Sequence, residues 1–245
     1  MGERSEKLNG GQSIQKLQLA GQEHFEGNLD GQGRKNGKGT LTLPNGTIIK
    51  GTWIEDRLGG ESEIIYPCGD RYRGGTRGGR AWGRGILESR DGNRYDGEWI
   101  DDRQQGIGIE TRGDGTRYDG EFDRGTKHGK GILSYPSGMV YNGHFAHDSI
   151  CGEGKMVYPD GRVYSGQWKD GIHQGKGRME YPDGSLYEGE FDKGYKQGKG
   201  TMKFSSGAEY TGQWVKGQFE GKGSLTLPDH TVQKGTFHEG KFMGS

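Results

Sequence analysis

Residues 164–184 read YSGQWKDGIHQGKGRMEYPDG and contain five glycines and three aromatic residues. The first five residues alternate between aromatic or glycine and polar side chains, which predicts a β-strand with Tyr164 and Trp168 on one face. A second alternation near the end of the segment places Met179 and Tyr181 on a shared face. The segment therefore predicts two short strands rather than a flexible linker.

Two connections join these strands. The ending YPDG (181–184) predicts a tight turn, because Pro fixes φ and Asp-Gly tolerates a left-handed step. The run KDGIHQGKG (169–177) predicts the opposite and longer connection. Together they predict an antiparallel meander that gains two strands with each copy of the segment.

The segment is one copy of a repeat. An aromatic-x-Gly-x-aromatic core, or a close variant of it, recurs with a first step of 24 residues and later steps of 23, and all six prolines occupy the same place in their copies. Such a fixed period is the sequence signature of a repeat fold. The copies begin at residues 25, 49, 72, 95, 118, 141, 164, 187, 210 and 233.

The period predicts the fold class and its boundaries. We expect an all-β fold: an elongated, single-layered antiparallel β-meander ribbon of about nine to ten hairpin repeats, stabilised by stacking of neighbours. Residues 25–232 hold nine repeats, with a degenerate capping half-repeat at 14–24 and a second capping half-repeat at 233–245. Residues 1–13 are predicted to be a disordered tail.

Charge and composition bear on whether the chain binds nucleic acid or membranes. The 245 residues contain 34 Lys plus Arg and 34 Asp plus Glu, so no net field attracts nucleic acid, and lipid contact is not favoured. The first residues lack the apolar core of a signal peptide. Gly2 is followed at position 6 by Glu6 instead of the Ser or Thr of a myristoylation motif, so we expect no lipid anchor.

Catalytic and metal-binding signals are weak. Cys68 and Cys151 are far apart and are predicted to be reduced thiols. His144, His147 and Asp148 form the nearest approach to a metal cluster, but their spacing favours a surface role. The Gly-Lys-Gly elements recur without the following Ser or Thr of a phosphate loop. We therefore expect no catalytic residues, no metal, no cofactor and no enzymatic activity.

The repeating unit, Y-x-G-x-W/F-x-x-G-x-x-x-G-x-G-x-x-x-Y-P-D-G, resembles the MORN (membrane occupation and recognition nexus) repeat over nearly the whole chain. The resemblance implies a β-ribbon that serves as a scaffold. Members of that family include radial-spoke head proteins of cilia and flagella, junctophilins, cytoskeletal scaffolds of protists, and regulatory repeats attached to lipid kinases and a lysine methyltransferase.

Several copies depart from the pattern. Residue 49 is Ile instead of Tyr, and Ser62 replaces the second glycine of that repeat. In the next repeat Thr76 replaces the second aromatic residue, and Trp82 lies in the predicted connection. In the fourth, Glu110 and Arg112 enter the apolar column. The irregular copies thus concentrate in the N-terminal part of the repeat array.

The aromatic columns are the predicted partner-binding site. A single sheet cannot bury its whole apolar face against itself, and an exposed apolar face normally marks a partner surface. We expect the rings to line a groove that holds a helix or extended peptide of a larger assembly, while also packing the core. The groove residues are Tyr95, Trp99, Tyr118, Phe122, Tyr141, Phe145, Tyr164, Trp168, Tyr187, Phe191, Tyr210 and Trp214.

A local basic cluster is the second candidate site. Residues 70–94 contain seven arginines against Asp70, Glu88 and Asp91. A solvated face and a patch for an acidic protein or anionic lipid are both open interpretations. The possible patch for an acidic partner is Arg71, Arg73, Arg77, Arg80, Trp82 and Arg84.

The favoured function is a non-catalytic structural scaffold for protein–protein interaction. The resemblance places it in the cytoskeleton of a cilium or flagellum, in the axoneme and at a radial spoke. The alternatives are a peripheral membrane tether that binds phosphoinositides and a regulatory companion subunit of an enzyme. A homodimer is compatible with exposed ribbon ends.

Overall fold

The computed structural model describes residues 5–7, 13–18 and 20–245, and its described residues are all-β apart from a 3₁₀ turn at Ala20–Gln22. The chain divides into two compact units, Met1–Thr126 and Lys127–Ser245.

The described part of the first unit holds the strands β1 Ser5–Lys7, β2 Ser13–Gln18, β3 His24–Leu29, β4 Lys35–Thr42, β5 Ile48–Ile54, β6 Arg57–Ile65, β7 Arg71–Arg77, β8 Arg80–Glu88, β9 Arg94–Ile100, β10 Arg103–Thr111 and β11 Arg117–Asp123. The second unit holds β12 Thr126–Ser134, which begins at the last residue of the first unit, and β13 Val140–Ala146, β14 Ser149–Val157, β15 Val163–Lys169, β16 Ile172–Glu180, β17 Leu186–Asp192, β18 Tyr195–Lys203, β19 Glu209–Val215, β20 Gln218–Thr226, β21 Val232–His238 and β22 Lys241–Gly244.

Within each unit, every strand pairs antiparallel with the next strand in sequence. The pairings run from β1 to β11 in the first unit and from β12 to β22 in the second. Each repeat contributes one strand of about seven residues and one of about nine. The predicted all-β antiparallel meander is thereby confirmed.

The connection predicted to be the longer one is a two-residue turn. Asp170 and Gly171 join β15 to β16 with φ angles of 50° and 76°. Positive φ at both central residues is the type I′ geometry that matches the twist of paired strands. Most of the run 169–177 is therefore strand, and the prediction of a long connection was wrong because Asp-Gly completes the turn in two residues.

The YPDG turn is confirmed. The amide of Tyr181 donates to the carbonyl of Ser185 at 2.9 Å, and the amide of Gly184 donates to the carbonyl of Tyr181 at 3.0 Å. The Asp183 carboxylate accepts from the amide of Ser185 at 2.9 Å. Gly184 has φ of 86°, the left-handed step that the sequence predicted.

The Gly-x-Gly pair meets two separate needs. Gly106 lies at a register shift between β9 and β10, where its φ of 62° favours glycine. Gly108 lies opposite Gly97, and the ring of Tyr95 lies against both. A Cβ on Gly108 would lie 2.5 Å from the Tyr95 hydroxyl, so the ring fits only because both partners lack side chains.

Edge-to-face rings form the core of both units. Tyr95 lies 5.0 Å from both Trp99 and Phe122, with interplanar angles of 87° and 86°. Such ring pairs contribute free energy of stabilisation beyond that expected from the apolar area that they bury. The second unit has the same geometry around Tyr141, Tyr164, Tyr187 and Tyr210.

The ends of the chain differ in part from the prediction. Residues 1–4 and 8–12 of the predicted disordered tail lie outside the described residues, whereas Ser5–Lys7 pairs with β2 and is therefore a strand. The half-repeat predicted at 14–24 supplies β2, which places Leu17 opposite Phe25. Residues 233–245 supply most of β21 and all of β22.

Replacing Gly108 with alanine tests the ring-on-glycine packing. We expect Gly108→Ala to lower the free energy of unfolding by about 1–3 kcal/mol, because the new methyl group overlaps the Tyr95 ring. Gly59→Ala in β6 is the control, since a Cβ there meets nothing within 4 Å. Urea denaturation of both variants checks this, and equal effects would contradict the packing account.

Candidate functional site

The twelve rings predicted to line the groove are buried. Each is 6% exposed or less, with Trp99 the most accessible of them and Tyr141, Tyr164, Tyr187 and Tyr210 at 0%. Their polar atoms find partners in the same or the preceding repeat: the Tyr164 hydroxyl donates to the Gln167 carbonyl at 2.9 Å, and Trp168 Nε1 donates to the Gly154 carbonyl at 3.1 Å. The predicted packing role is thus present. As a correction, a partner that approaches this face meets other side chains before these rings.

One column of residues lies against these rings and is here named the cover column. His173 stacks on Tyr164 with centroids 3.7 Å apart and 14° between planes, and Phe219 stacks on Tyr210 at 3.7 Å and 11°. The rings of Tyr164 and Tyr210 are therefore each held between a glycine pair and a cover residue. The cover column is Lys35, Leu58, Ala81, Gln104, Lys127, Ile150, His173, Lys196, Phe219 and Phe242.

The sequence interpretation missed the cover column, since its residues fell in the supposed long connection. The available signal was the dipeptide Asp170-Gly171, which is typical of a two-residue hairpin turn. With that turn assigned, His173 pairs with Trp168 and its side chain lies on the aromatic face. The variability of this column contrasts with the near-constant Tyr and Gly columns.

A second exposed feature of the second unit is here named the aromatic row: Tyr135, Tyr158, Tyr181 and Phe204, one ring per repeat just before each turn. All four are partly exposed. Three of them contact the cover residue that follows 15 positions later. The Tyr158 hydroxyl lies 2.8 Å from Nε2 of His173, and the Phe204 and Phe219 rings are 6.3 Å apart.

His173 is the cover residue with the largest electrostatic perturbation. Its ring is enclosed by Tyr164, Trp168 and Tyr158. Burial, aided by the charge of Arg162, lowers the pKa of His173 from 6.5 to about 4. The imidazole is therefore neutral at neutral pH, and its Nε2 can accept a hydrogen bond from the Tyr158 hydroxyl.

The predicted basic patch is partly offset by acids from outside residues 70–94. The Nε atoms of Arg71 and Arg73 lie 3.5 and 3.0 Å from Oε1 of Glu63, which belongs to β6. Arg80 lies 3.9 Å from Asp101. Such exposed ion pairs are weak. Glu63 and Asp101 nevertheless place negative charge beside the arginines, and a net charge counted over residues 70–94 leaves both acids out.

Two other members of the predicted patch stand differently. The Arg77 guanidinium lies 4.9 Å from the centre of the Trp82 ring, which is a cation–π contact. Arg84 is exposed and lies opposite Glu98 in the strand register. A role for these arginines in binding an acidic partner stays a prediction.

Three departures from the repeat pattern converge at one point in the first unit. The Thr76 hydroxyl donates to the Gly60 carbonyl at 3.1 Å and lies 2.9 Å from the Ser62 hydroxyl. A Cβ on Gly51 would meet Leu58 at 2.7 Å and Ser62 at 2.8 Å. In regular repeats a tyrosine occupies that space, so Ser62 and Leu58 fill the volume that Ile49 leaves.

Metal sites, membrane-spanning helices and cysteine pairs are the other kinds of feature to consider in the described residues. Among residues 5–7, 13–18 and 20–245, no cluster of three or more His, Cys, Asp or Glu side chains could hold a metal ion. Within the same residues no helix has the length and apolar character needed to span a bilayer. Cys68 and Cys151 are free thiols.

A family model described as MORN repeat matches eight segments: 31–48, 72–94, 95–117, 118–140, 141–161, 164–186, 187–209 and 210–232. These segments cover well over half of the chain. The chain belongs to the MORN-repeat family. The family model does not match residues 49–71, the repeat with Ile49 and Ser62. In the structure, β5 and β6 nevertheless form the same MORN hairpin there.

Comparisons with individual proteins add no functional argument for this MORN chain. One similar structure is the TCP10 domain of Danio rerio CPAP in complex with a peptide of Danio rerio STIL, at 14% identity and a TM-score of 0.46, over 97% of this chain and 100% of that one. Another is the SAS-4 (dCPAP) TCP domain of Drosophila melanogaster with a proline-rich motif of Ana2 (dSTIL), at 9% identity and a TM-score of 0.31, over 82% and 90%. A search of curated proteins gave no match.

A double-mutant cycle tests the compensation between Ser62 and Thr76. Thr76→Phe should lower the free energy of unfolding by about 1–3 kcal/mol, because the ring overlaps the Ser62 side chain. Combined with Ser62→Gly, which restores the regular Gly-aromatic pair, the loss should shrink, with a coupling of about 0.5–3 kcal/mol. Additive losses in chemical denaturation would show that the two departures are independent.

The buried imidazole predicts a pH dependence of stability. The unfolded state takes up a proton near pH 6.5, whereas folded His173 does so near pH 4, so the unfolded state binds more protons between these values. Stability should therefore fall as pH decreases through that window. The stability of His173→Leu should fall less steeply with decreasing pH than that of the wild type. A fully buried group would contribute roughly 1.4 kcal/mol per pH unit. The difference should be smaller here, because His173 is partly exposed.

Thermal or urea unfolding from pH 4 to 8 measures this difference. The control is His144→Leu, since the Nδ1 of His144 lies 2.9 Å from the backbone carbonyl of Glu153 instead of facing the aromatic core. Parallel pH profiles for the wild type and His173→Leu would contradict the account.

Proposed function

We propose that this MORN-repeat chain is a non-catalytic scaffold that holds a helical or extended segment of a partner protein against its aromatic face. We place this scaffold in the axoneme of a cilium or flagellum, at the radial spoke. The observation that carries the scaffold proposal is the aromatic row, Tyr135, Tyr158, Tyr181 and Phe204, which is partly exposed beside buried rings.

The spacing of the aromatic row suits a protein segment. Neighbouring repeats are two strands apart, or roughly 9.6 Å. Seven residues of an α-helix rise roughly 10.5 Å, and three residues of an extended chain roughly 10 Å. A helix with apolar side chains every seven residues would therefore meet successive rings of the row.

The row is also preorganised. Tyr158 is held by His173, and Phe204 lies beside Phe219. A partner that binds such fixed rings loses little side-chain entropy from this surface. Aromatic residues of this kind dominate binding energy in many interfaces.

The axonemal location is supported by the family alone, since MORN proteins include radial-spoke head proteins. The exposed rings support a protein contact but do not select the assembly. The location therefore has its own test.

Replacing two rings of the row tests the scaffold proposal. Stoichiometric partners are first identified by copurification from ciliated cells and then bound as purified proteins. Tyr158→Ser with Phe204→Ser should weaken this binding at least about tenfold, since interface rings often contribute more than 1.4 kcal/mol. Ile132→Ser with Val157→Ser is the control.

The control pair is exposed, at 42% and 38%, and alternates with the buried face of β12 and β14. Retained binding by the row variant, with an unchanged thermal transition, would contradict the proposal. Trp168 and Trp214 are unsuitable for this test, because their burial makes them report on folding. Fluorescent tagging in ciliated cells tests the location, and absence of the tag from axonemes would overturn it.

A further inference from the structure

A cavity of about 460 Å³ opens on the aromatic face of the first unit. Its lining includes Tyr66, Tyr72 and Trp99, with Leu87 beside them and the cover residue Ala81. Tyr72 and Trp99 are buried, whereas Tyr66 is partly exposed. The cavity exists where the cover column has its smallest side chain.

The second unit shows what occupies the same place when the cover residue is long. Five repeats later, at the position equivalent to Ala81, the Nζ of Lys196 lies 5.1 Å from the ring centre of Tyr181 and 5.0 Å from those of Tyr187 and Trp214. These rings are equivalent, residue by residue, to Tyr66, Tyr72 and Trp99.

The two sets of rings also have the same geometry. Tyr72 and Trp99 are 5.4 Å apart at 85°, and Tyr187 and Trp214 are 5.0 Å apart at 81°. The fourth wall is equivalent as well, because Lys196 Nζ lies 3.7 Å from the sulfur of Met202, whose counterpart is Leu87. The first unit therefore holds the cage of Lys196 without its lysine.

The cavity adds negative charge that the Lys196 cage lacks. Asp70 and Asp102 belong to its lining, whereas the equivalent residues in the second unit are Ser185 and Gly217. Asp102 is held in place, since its Oδ1 accepts from the amide of Ala81 at 2.8 Å.

The charge of Asp102 reaches the rings. The pKa of Tyr66 is raised mainly by burial, and the charge of Asp102 is the next largest cause. Burial alone lowers the pKa of Lys196, which sits among rings with no carboxylate to offset desolvation. A cation in the cavity of the first unit would have both ring faces and carboxylates near it.

We propose that this cavity binds the ammonium side chain of a lysine, free or methylated, from a partner protein. The four-carbon stem lies along Leu87 and Tyr66, and the ammonium group faces Trp99, Tyr72 and the carboxylates. This inference rests on residues of the first unit, none of which belongs to the aromatic row, so it stands whether or not the row binds a partner.

Methyl NMR on the intact chain tests the site. The chain has four alanines, so ¹³C-methyl labelling of alanine gives four signals, with Ala81 in the cavity and Ala146 as an internal reference. The probes are Nα-acetyl-lysine methylamide, its trimethylated form, the norleucine analogue and the arginine analogue. Lysine or trimethyl-lysine should shift the Ala81 signal saturably and leave Ala146 unchanged.

The norleucine analogue, which has the stem without the charge, should bind at least about tenfold more weakly. Comparison of the lysine and trimethyl-lysine probes shows which form is preferred. Equal binding of norleucine, tighter binding of arginine, or no saturable shift of Ala81 by either ammonium probe would overturn the proposal.

Two variants make the test specific. Ala81→Lys should supply the cage with its own lysine and abolish probe binding, read from the Leu87 methyl signals. Lys196→Ala should open a second cavity whose new alanine methyl responds to the lysine probe, with weaker affinity than Ala81 because the acids are missing there. Asp102→Asn should weaken binding at Ala81 about fivefold.

The variants also keep the outcome interpretable. If Ala81→Lys fails to fold, Lys196→Ala still decides, because a second saturable site supports the cage and its absence contradicts it. An unchanged affinity in Asp102→Asn would contradict the charge argument.

Discussion

The contact between a tyrosine ring and two facing glycines is the constraint on which the rest of this MORN structure depends. The Tyr95 ring lies against Gly97 and Gly108, and a Cβ on either would approach its hydroxyl to 2.5 Å. The ring can lie flat on the sheet only where two backbones pair without side chains. Once it lies there, it meets Trp99 on the same strand and Phe122 two strands away, and these edge-to-face contacts link one repeat to the next. The high glycine content that looks like disorder is therefore a packing requirement.

The same constraint explains how one repeat tolerates several irregular residues. Where Ile49 replaces the tyrosine, the second glycine is no longer required, and Ser62 fills the space. In a regular repeat the second aromatic ring lies beside this glycine. Where Thr76 replaces that ring, its hydroxyl forms a hydrogen bond with Ser62. A volume lost at one position is regained at another, which is the condition for a core to stay well packed. The departures look independent in sequence and form one cluster in space.

The sequence alone predicted much of this fold, because period and turn chemistry are local properties. The alternation around Tyr164 and Trp168 gave the first strand of each hairpin, and YPDG gave its turn. The second turn differs from the prediction, because Asp170-Gly171 completes it in two residues where the glycine-rich run 169–177 predicts a longer connection. That error removed His173 and its equivalents from the aromatic face.

The candidate sites were harder to predict, because exposure depends on neighbours that a period of two does not reveal. Alternation shows that Tyr164 and Trp168 share a face, but not that a glycine pair and a cover residue enclose the tyrosine. In the same way, the charge of the arginine cluster depends on Glu63 and Asp101, which pair across strands from outside the counted segment. Ring equivalence across five repeats is visible in sequence only once the cover column has been recognised.

The cover column is a position at which this fold is free to vary. The tyrosine, the facing glycines and the second aromatic residue are in mutual contact, so a change at one is accompanied by a change at another, as at Ser62 and Thr76. A cover residue touches the core from one side only, and the column accepts Ala, Leu, Ile, Phe, Gln, His and Lys on the same strand position. Each choice sets the depth and charge of the surface beside it without disturbing the glycine pair. Selectivity for partners in a MORN array can therefore change repeat by repeat while the stacking that stabilises the array stays the same.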